Sequence, residues 1–353
     1  MSDESRAIVL STVIISTVAV TMFAVYVFVN SDNQSELNSD KIAKKSPDIN
    51  IPGLDDLEID YEKKLVMGIF PRRNTAKTIR MFNPLAHYLS KKLGMSVVVD
   101  TSSDFKTFWQ KVKDKKFDIV HYNQLHYVLS NEKFNYTAII KNQEFGIDSI
   151  RPIIAVRNDS NIKSIRDLRN KVVHFGGGKL AMVSHIANRV AIRDMGLSDN
   201  EYRWKYVKNP PRTAISVFNM SADAASIGEG VLDFPQIKRS ITSKEFRKIY
   251  LGPDLPHLPW AVSDKISPDL KVKIQSAMLV LNNSNAGIDL LKNASITGFS
   301  KAIDKEYDIV RSIYKKYSSY SVNSKIKNVQ RSVKTIRHSI NEAEQKTKEY
   351  AIK

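Results

Sequence analysis

From Ala7 to Val29 the chain runs without a charged residue, AIVLSTVIISTVAVTMFAVYVFV. At ~1.5 Å per residue such a run, as a helix, spans the ~30 Å hydrocarbon core of a bilayer. The rival reading is a cleaved signal peptide. Its apolar region is shorter, ~7–15 residues, and a small-x-small cleavage site comes after it; Val29-Asn30-Ser31 is a poor match. Residues 1–30 therefore read as an uncleaved transmembrane anchor. Residues 31–60 are polar, interrupted by Pro47 and Pro52, and read as a flexible tether.

From Tyr61 the pattern alternates between short β-rich runs and helix-period segments. Strands are predicted over Leu65–Phe70, Ser96–Val99, Phe117–Val120 and Tyr136–Ile140, with helices over Pro84–Leu93, Phe105–Val112 and Leu125–Ser130. Arg151–Val156 is an extended apolar run that leaves this unit. A second alternating unit comes next: a short helix at Ser164–Leu168, a strand ending at Gly176, a long helix to Met195, a strand at Trp204–Val207, a helix at Arg212–Met220 entered by Pro210-Pro211, and a short strand at Ala222–Ala225. Lys248–Leu251 and Trp260–Ser263 read as strands returning to the first unit, and Ser267–Leu281, Ile288–Leu291 and Lys305–Tyr317 as helices. Alternation of this kind predicts an α/β architecture of two lobes: 61–150 and 249–318 in one, 151–248 in the other. Ligands on such sheets lie beyond the carboxyl ends of strands, and clefts between lobes hold small molecules.

Past residue 318 the pattern changes again. Val322, Ile326, Val329, Val333, Ile336, Ile340 and Ala343 recur in steps of four and three, with Lys and Arg between them and no Pro or Gly. This amphipathic heptad seam over 319–353 suits self-association through 322–350, packing on a lobe, or binding to a partner or anionic lipid.

The chain has 353 residues with 54 Lys+Arg against 37 Asp+Glu, a net charge of +17, and no cysteine. Disulfides, thiol catalysis and cysteine-based metal sites are excluded. A basic balance fits nucleic acid, anionic lipid or an anionic ligand; with no zinc-finger spacing, RNA-binding aromatic motif or basic zipper region, nucleic acid is not expected. His121 and His126 supply at most two metal ligands with no third in view, so neither metal nor cofactor is expected. No Ser/His/Asp order or paired carboxylates indicate an enzyme.

The densest chemical signal is Lys171-Val172-Val173-His174-Phe175-Gly176-Gly177-Gly178-Lys179-Leu180-Ala181-Met182. It reads as a strand, three glycines and a helix start. Unbonded N–H groups and the positive end of the helix dipole suit an anion there, and Lys179 adds a full charge. It is not a nucleotide P-loop: Val173 stands five before Gly178 and Leu180 comes directly after Lys179, where G-x-x-x-x-G-K-[ST] is required.

Several segments in order resemble a known family. Met67-Gly68-Ile69-Phe70-Pro71, Phe82-Asn83-Pro84-Leu85-Ala86-His87-Tyr88-Leu89, Phe117-Asp118-Ile119-Val120-His121-Tyr122, Ser164-Ile165-Arg166-Asp167-Leu168 and Ala222-Asp223-Ala224-Ala225 are similar to the phosphate/phosphite/phosphonate periplasmic substrate-binding proteins of ABC transporters, over about Lys64–Lys315. The resemblance implies the two-lobed type II periplasmic-binding-protein fold, no catalysis, and an anion held by three places. These are the loop after the first strand (Pro71–Thr78, with Arg72 and Thr75), an aromatic after the third (Tyr122), and the turn at Gly176, Gly177, Gly178, Lys179, Leu180 and Ala181. Family hydroxyls at that turn are replaced here by Gly and Lys. Arg212 stands where the family often carries His, and Glu229 matches a carboxylate that pairs with a ligand amine. A second family carboxylate is missing from Leu255–Pro259, which speaks against an aminophosphonate.

These readings combine into a membrane-anchored extracytoplasmic binding protein for a small oxyanion, partnered with an ABC permease. It would be single-pass in the cytoplasmic membrane, with its bulk facing the periplasm or exterior. The other reading is a sensing or scaffolding module that signals to a membrane or envelope partner through the anchor and the C-terminal helix.

Overall fold

The computed structural model describes residues 55–320 apart from 145, 208, 240 and 242. The anchor at Ala7–Val29 and the heptad segment 322–350 lie outside them. Among the described residues no helix is long and apolar enough to cross a membrane.

The strands in chain order are β1 (Asp60–Ile69), β2 (Met95–Asp100), β3 (Ile119–His121), β4 (Thr137–Gln143), β5 (Ser149–Ile150), β6 (Pro152–Arg157), β7 (Val172–Gly176), β8 (Arg203–Val207), β9 (Ala224–Gly228), β10 (Phe246–Leu251), β11 (Leu255–Pro256), β12 (Pro259–Val262) and β13 (Gly298–Lys301). Lobe one is a six-stranded sheet, β13-β4-β12-β3-β1-β2; lobe two is a five-stranded sheet, β10-β6-β9-β7-β8. β1 runs parallel to β2 and β3, and β7 runs parallel to β8 and β9. Parallel strands need covered faces: Leu85 and Leu89 of the helix Thr75–Leu93 pack under lobe one with Met67 and Trp260, while Ile153, Ala214 and Val217 form part of the lobe-two core.

Three elements depart from the predicted pattern. The helix predicted from Pro84 starts at Thr75, because the Asn74 side chain accepts from Lys77 N–H at 2.8 Å and so supplies an N-cap well upstream of the proline. Pro84 sits inside that helix. The helix predicted to run to Met195 opens instead with a π-turn, Met182–Ala187, before Asn188–Asp194. There the Ala181 carbonyl accepts from both His185 and Ile186 N–H, at 3.1 and 3.0 Å. Finally, Phe246–Leu251 does not return to lobe one; it pairs antiparallel with β6 at the edge of the lobe-two sheet. Only Pro259–Val262 returns, between β3 and β4.

The two crossings between lobes are β5 and β11, paired antiparallel as a two-stranded ladder. Beside this ladder the lobes share an apolar joint. Met182, Val183 and Ile186 of lobe two cluster with Tyr122, Leu125 and Leu255, all buried. A Cβ at Gly228 would lie 2.7 Å from the Ile150 Cδ1 atom, so any larger residue there must push the Ile150 side chain aside.

On the side where the chain leaves lobe one, a helix over 308–320 touches both lobes. Arg311 pairs with Asp304 at 2.6 Å in lobe one. Lys316 reaches Asp194 in lobe two at 2.6 Å, and the Arg193 guanidinium donates to the Tyr320 carbonyl at 3.2 Å.

Candidate ligand-binding cleft

The loops that leave the carboxyl ends of β1 and β3 set the chemistry of the cleft. After Ile69 the chain turns at Phe70-Pro71, with Arg72 N–H donating to the Phe70 carbonyl at 2.9 Å. This turn places Arg72 and Arg73 ahead of the helix that Asn74 caps. Both arginines line a cavity of about 330 Å³ between the lobes. Lobe one contributes Phe70, Phe82, His121, Glu144, His257 and Ile296 to its wall, and lobe two closes it with Phe234 and Pro235. The size is that of a small-molecule site with mixed apolar and polar walls.

Glu144 is the carboxylate whose charge both arginines feel. Neither guanidinium forms an ion pair or hydrogen bond among the described residues; Arg72 lies over the Phe70 ring at 5.6 Å. Desolvation by surrounding protein lowers the pKa of both, with Glu144 opposing and, for Arg73, the Arg72 charge adding to the fall. Arg72 keeps substantial solvent-exposed surface, which tempers that effect. Burial pushes the Glu144 carboxyl up, but the hydrogen bond from His257 and the charges of Arg72 and Arg73 outweigh it. Its pKa therefore ends below the ordinary glutamate value.

The hydrogen bonds settle both histidine tautomers. His257 Nδ1 accepts from Leu258 N–H at 2.8 Å, so Nε2 carries the proton and faces Glu144 Oε2 at 3.5 Å. The His121 Nδ1 lies 3.3 Å from the Pro259 carbonyl, which can only accept. Nδ1 therefore holds the proton, and Nε2 is a lone-pair acceptor. The His121 ring stacks on Trp260, centroids 4.4 Å apart and 10° from parallel. Burial takes its pKa down to about 3, despite the favourable Pro259 bond, so the ring stays neutral.

Of the residues picked from sequence, Arg72 lines this cavity. Thr75 is exposed at the first turn of its helix. Tyr122 is fully buried among Phe108, Tyr127 and Tyr136. Its hydroxyl lacks a well-formed hydrogen bond, the nearby Ser130 hydroxyl donating instead to the Tyr127 carbonyl at 2.9 Å. Arg212 is exposed at its helix start. Glu229 pairs with Lys248 at 2.5 Å.

The glycine bend faces lobe one at a different place from the cavity: Asn123 Nδ2 donates to the Leu180 carbonyl at 3.3 Å. Gly177 holds φ +90°, and its N–H is taken by the Val207 carbonyl at 2.7 Å. Ala181 N–H is taken by the Gly178 carbonyl at 2.9 Å. The amides of Gly178, Lys179 and Leu180 donate to no acceptor among the described residues, and these three residues are not buried. Beyond them, Met182 and Val183 turn into the apolar joint.

Glu144 and His257 were not singled out from sequence, whereas His121, with residues to Gln124, stands beyond the carboxyl end of the strand predicted over Phe117–Val120, where a site mouth is expected. Glu144 lies just past the end of β4 and His257 just before β12, so it is the adjacency of β4, β12, β3 and β1 in the lobe-one sheet that brings them and His121 to the arginine turn.

The profile of the phosphonate periplasmic substrate-binding proteins of ABC transporters matches residues 67–307. The chain belongs to this family. Its members are transport proteins of the extracytoplasmic space. A curated relative, the phosphonates-binding periplasmic protein of Escherichia coli K12, is 22% identical over 220 residues, 61% of this chain and 65% of the relative. The match thus spans a little under two thirds of that relative's length. Among solved structures, PhnD1 of Prochlorococcus marinus in complex with methylphosphonate superposes with a TM-score of 0.60 at 18% identity, covering 72% of this chain and 98% of that one. A Xanthomonas citri protein bound to ATP gives 0.61 at 13% identity, over 73% and 98% of the two chains. A binding-protein component of a Pseudomonas aeruginosa ABC phosphonate transporter gives 0.61 at 14%, over 74% and 88%. At these identities the structural likeness concerns the fold.

Proposed function

We propose that this family member binds a small phosphonate-like or phosphate-like oxyanion in the hinge-side cavity and delivers it to an ABC permease without chemical change. One observation carries the reading. Arg72 and Arg73, uncommitted to protein carboxylates, line a cavity walled by both lobes. Guanidinium groups present several N–H donors in a fixed fork that matches oxyanion oxygens. The amides of Gly178, Lys179 and Leu180, with the Lys179 charge, offer a separate anion contact away from this cavity. Ala7–Val29 tethers the chain to the cytoplasmic membrane and raises its effective concentration at the permease. Calorimetry with methylphosphonate and inorganic phosphate tests the site. Saturable binding that weakens in Arg72→Gln supports it; unchanged affinity in Arg72→Gln rules the cavity out, and unchanged affinity in Lys179→Ala rules out the glycine bend. Co-purification of permease subunits tests the delivery.

A second reading, ligand sensing, is favoured by the helix over 308–320. Because Arg311 anchors it to lobe one and Lys316 to lobe two, any lobe motion would displace it. Its chain continues into the heptad residues 322–350. Co-purification of a kinase, cyclase or envelope protein in place of a permease would favour this reading.

A further inference from the structure

We infer that the outer edge of lobe two, the strand β8, is a membrane-docking face: Trp204 and Tyr206 settle at the headgroup level of an anionic bilayer while Arg203 and Lys205 meet its lipid phosphates. The inference goes beyond ligand binding. It rests on the reading of Ala7–Val29 as a tether, which keeps a bilayer within reach.

β8 is the last strand of its sheet, paired with β7 on one side and with no strand on the other among the described residues. Arg203 N–H donates to the Lys171 carbonyl at 2.9 Å, and the Val207 carbonyl accepts from Gly177 N–H at 2.7 Å. In a parallel ladder alternate residues turn to the same neighbour, so Arg203, Lys205 and Val207 direct their backbone groups at β7. Those of Trp204 and Tyr206 point outward. Every residue from Arg203 to Tyr206 is exposed, and Trp204 and Tyr206 keep 38% and 37% of their surface in solvent. Cations at an edge guard it against pairing with another strand. Arg203 and Lys205 suffice for that; the two exposed rings are what it leaves unexplained.

The rings are fixed in place. The Arg189 guanidinium lies over Trp204, 4.1 Å from its centroid, and Arg189 is itself held by Asp199 at 2.9 Å. Tyr206 packs edge-on against Trp204 at 5.4 Å, and its hydroxyl lies 3.3 Å from His185 Nε2. Such a pair exposes apolar ring surface with little side-chain freedom left to lose on docking. Tryptophan and tyrosine favour membrane interfaces, where one side is apolar and the other wet.

Charge selects the occupant. Arg203, Lys205 and Lys171 form no ion pair among the described residues, whereas the carboxylates of this region are committed: Glu201 to Arg169, Asp199 to Arg189 and Arg193, and Asp223 to Val172 N–H at 2.7 Å. A second copy of the strand would set these cations against themselves. The chain beyond Tyr320, whose carbonyl accepts from Arg193, carries Lys325, Lys327, Arg331, Lys334 and Arg337 before its first carboxylate, Glu342, so it too is repelled. An anionic lipid surface is complementary to the edge. The residues between Val29 and Asp55 reach at most about 90 Å, long enough to turn any face of the body to the bilayer; the edge decides which. Each cation near such a surface changes the ratio of docked to free protein by about fivefold.

The test is tryptophan fluorescence of the full-length chain in nanodiscs whose lipids carry bromine on the acyl chains near the headgroup, because bromine quenches only the rings it approaches closely. Trp204 is one of three tryptophans; Trp260 is fully buried in lobe one, and Trp109 packs on His126 and Phe134. In phosphatidylglycerol discs at low salt the expected loss is that of one tryptophan in three. It is expected to vanish in phosphatidylcholine discs, and at about 1 M salt, where the screening length drops to about 3 Å. Trp204→Phe is expected to abolish it, and Arg203→Ser with Lys205→Ser to lower the docked-to-free ratio about twenty-five-fold. A matching thermal melt confirms that each variant folds; the lipid and salt series uses the parent alone. Absence of quenching in phosphatidylglycerol discs, quenching that survives in Trp204→Phe, or equal quenching in the two lipids overturns the inference and leaves the tether standing. So does a Trp204 emission change with an acidic peptide of alternating glutamate and valine and none with lipid, which would assign the edge to a protein strand. A chain that stays outside the disc overturns the tether instead, and brominated vesicles of the same lipids then decide the docking.

Discussion

Replacing Arg72 by Gln removes one charge from the arginine turn and leaves the rest of the loop intact. In the free protein the change is nearly neutral. Arg72 holds no ion pair among the described residues, its pKa is lowered by surrounding protein, and its charge repels that of Arg73. Losing it removes that repulsion and a modest attraction to Glu144. A net effect within about 0.5 kcal/mol is expected, as for a surface substitution. For a body of this size that corresponds to a melting-temperature change of about 1–2 °C in either direction. In the complex the loss is larger. A hydrogen bond to a charged group is worth about 1.5–3 kcal/mol, so affinity for methylphosphonate should fall by roughly tenfold to more than a hundredfold. The solvent-exposed part of Arg72 places the expectation toward the lower end of that range. Calorimetry measures the affinity, and differential scanning fluorimetry without ligand measures the stability. A dissociation constant within about twofold of the parent would refute the reasoning, because an oxyanion in this cavity cannot be indifferent to one of its two uncommitted guanidiniums. A melting temperature lowered by more than about 5 °C would instead show that Arg72 holds the loop together.

Three further outcomes rest on the same geometry. Met182→Ala empties a fully buried site in the joint between lobes and should cost about 2–5 kcal/mol in urea unfolding; a loss under about 1 kcal/mol would mean the joint is not packed as described. Gly228→Val drives a side chain into Ile150 and Val183, and should destabilise by about 1–3 kcal/mol, so a neutral melt would contradict the close approach at the hinge. The buried rings of His121, His126 and His185 have pKa values lowered by burial to about 3, 4 and 4, against about 6.5 when unfolded. Their folded pKa values lie below the unfolded value, so their contribution is full above about pH 6.5 and is lost as pH falls toward 4. By pH 5 each has lost at most about 2 kcal/mol. Thermal melts should therefore fall steeply between about pH 6.5 and 4.5, and His126→Phe, which removes a buried Nδ1 without a hydrogen bond, should flatten that limb; a pH-independent melting temperature over this range would contradict the buried, neutral histidines.

Local patterning made much of the scaffold readable. Runs such as Leu65-Val66-Met67-Gly68-Ile69-Phe70 and Ile153-Ile154-Ala155-Val156 can bury their side chains on both faces, and that forces them into sheets covered by helices. Pro210-Pro211 announces a helix start, and the glycines at 176–178 announce a sharp turn, because each fixes or frees backbone dihedrals within a few residues. Those constraints act along the chain, so the alternation of elements, the division into two lobes and the arginine turn after β1 were legible in the sequence. The partner sheet of Phe246–Leu251 was not, because an edge strand carries no mark of the sheet it joins.

Only the tertiary structure decided which of these pieces face one another. Gly177 N–H lost its place as an anion contact when β8 brought the Val207 carbonyl to 2.7 Å. Tyr122 turned into the core because Phe108, Tyr127 and Tyr136 surround it. Glu144 and His257, 113 residues apart, met Arg72 and His121 only because β4, β12, β3 and β1 lie side by side in the lobe-one sheet. Hydrogen-bond acceptors and charges act over a few ångströms, whereas sequence spacing speaks for neighbours one or two turns away. The chemistry of the cleft is therefore a property of the assembled lobe-one sheet and of the lobe-two wall that faces it.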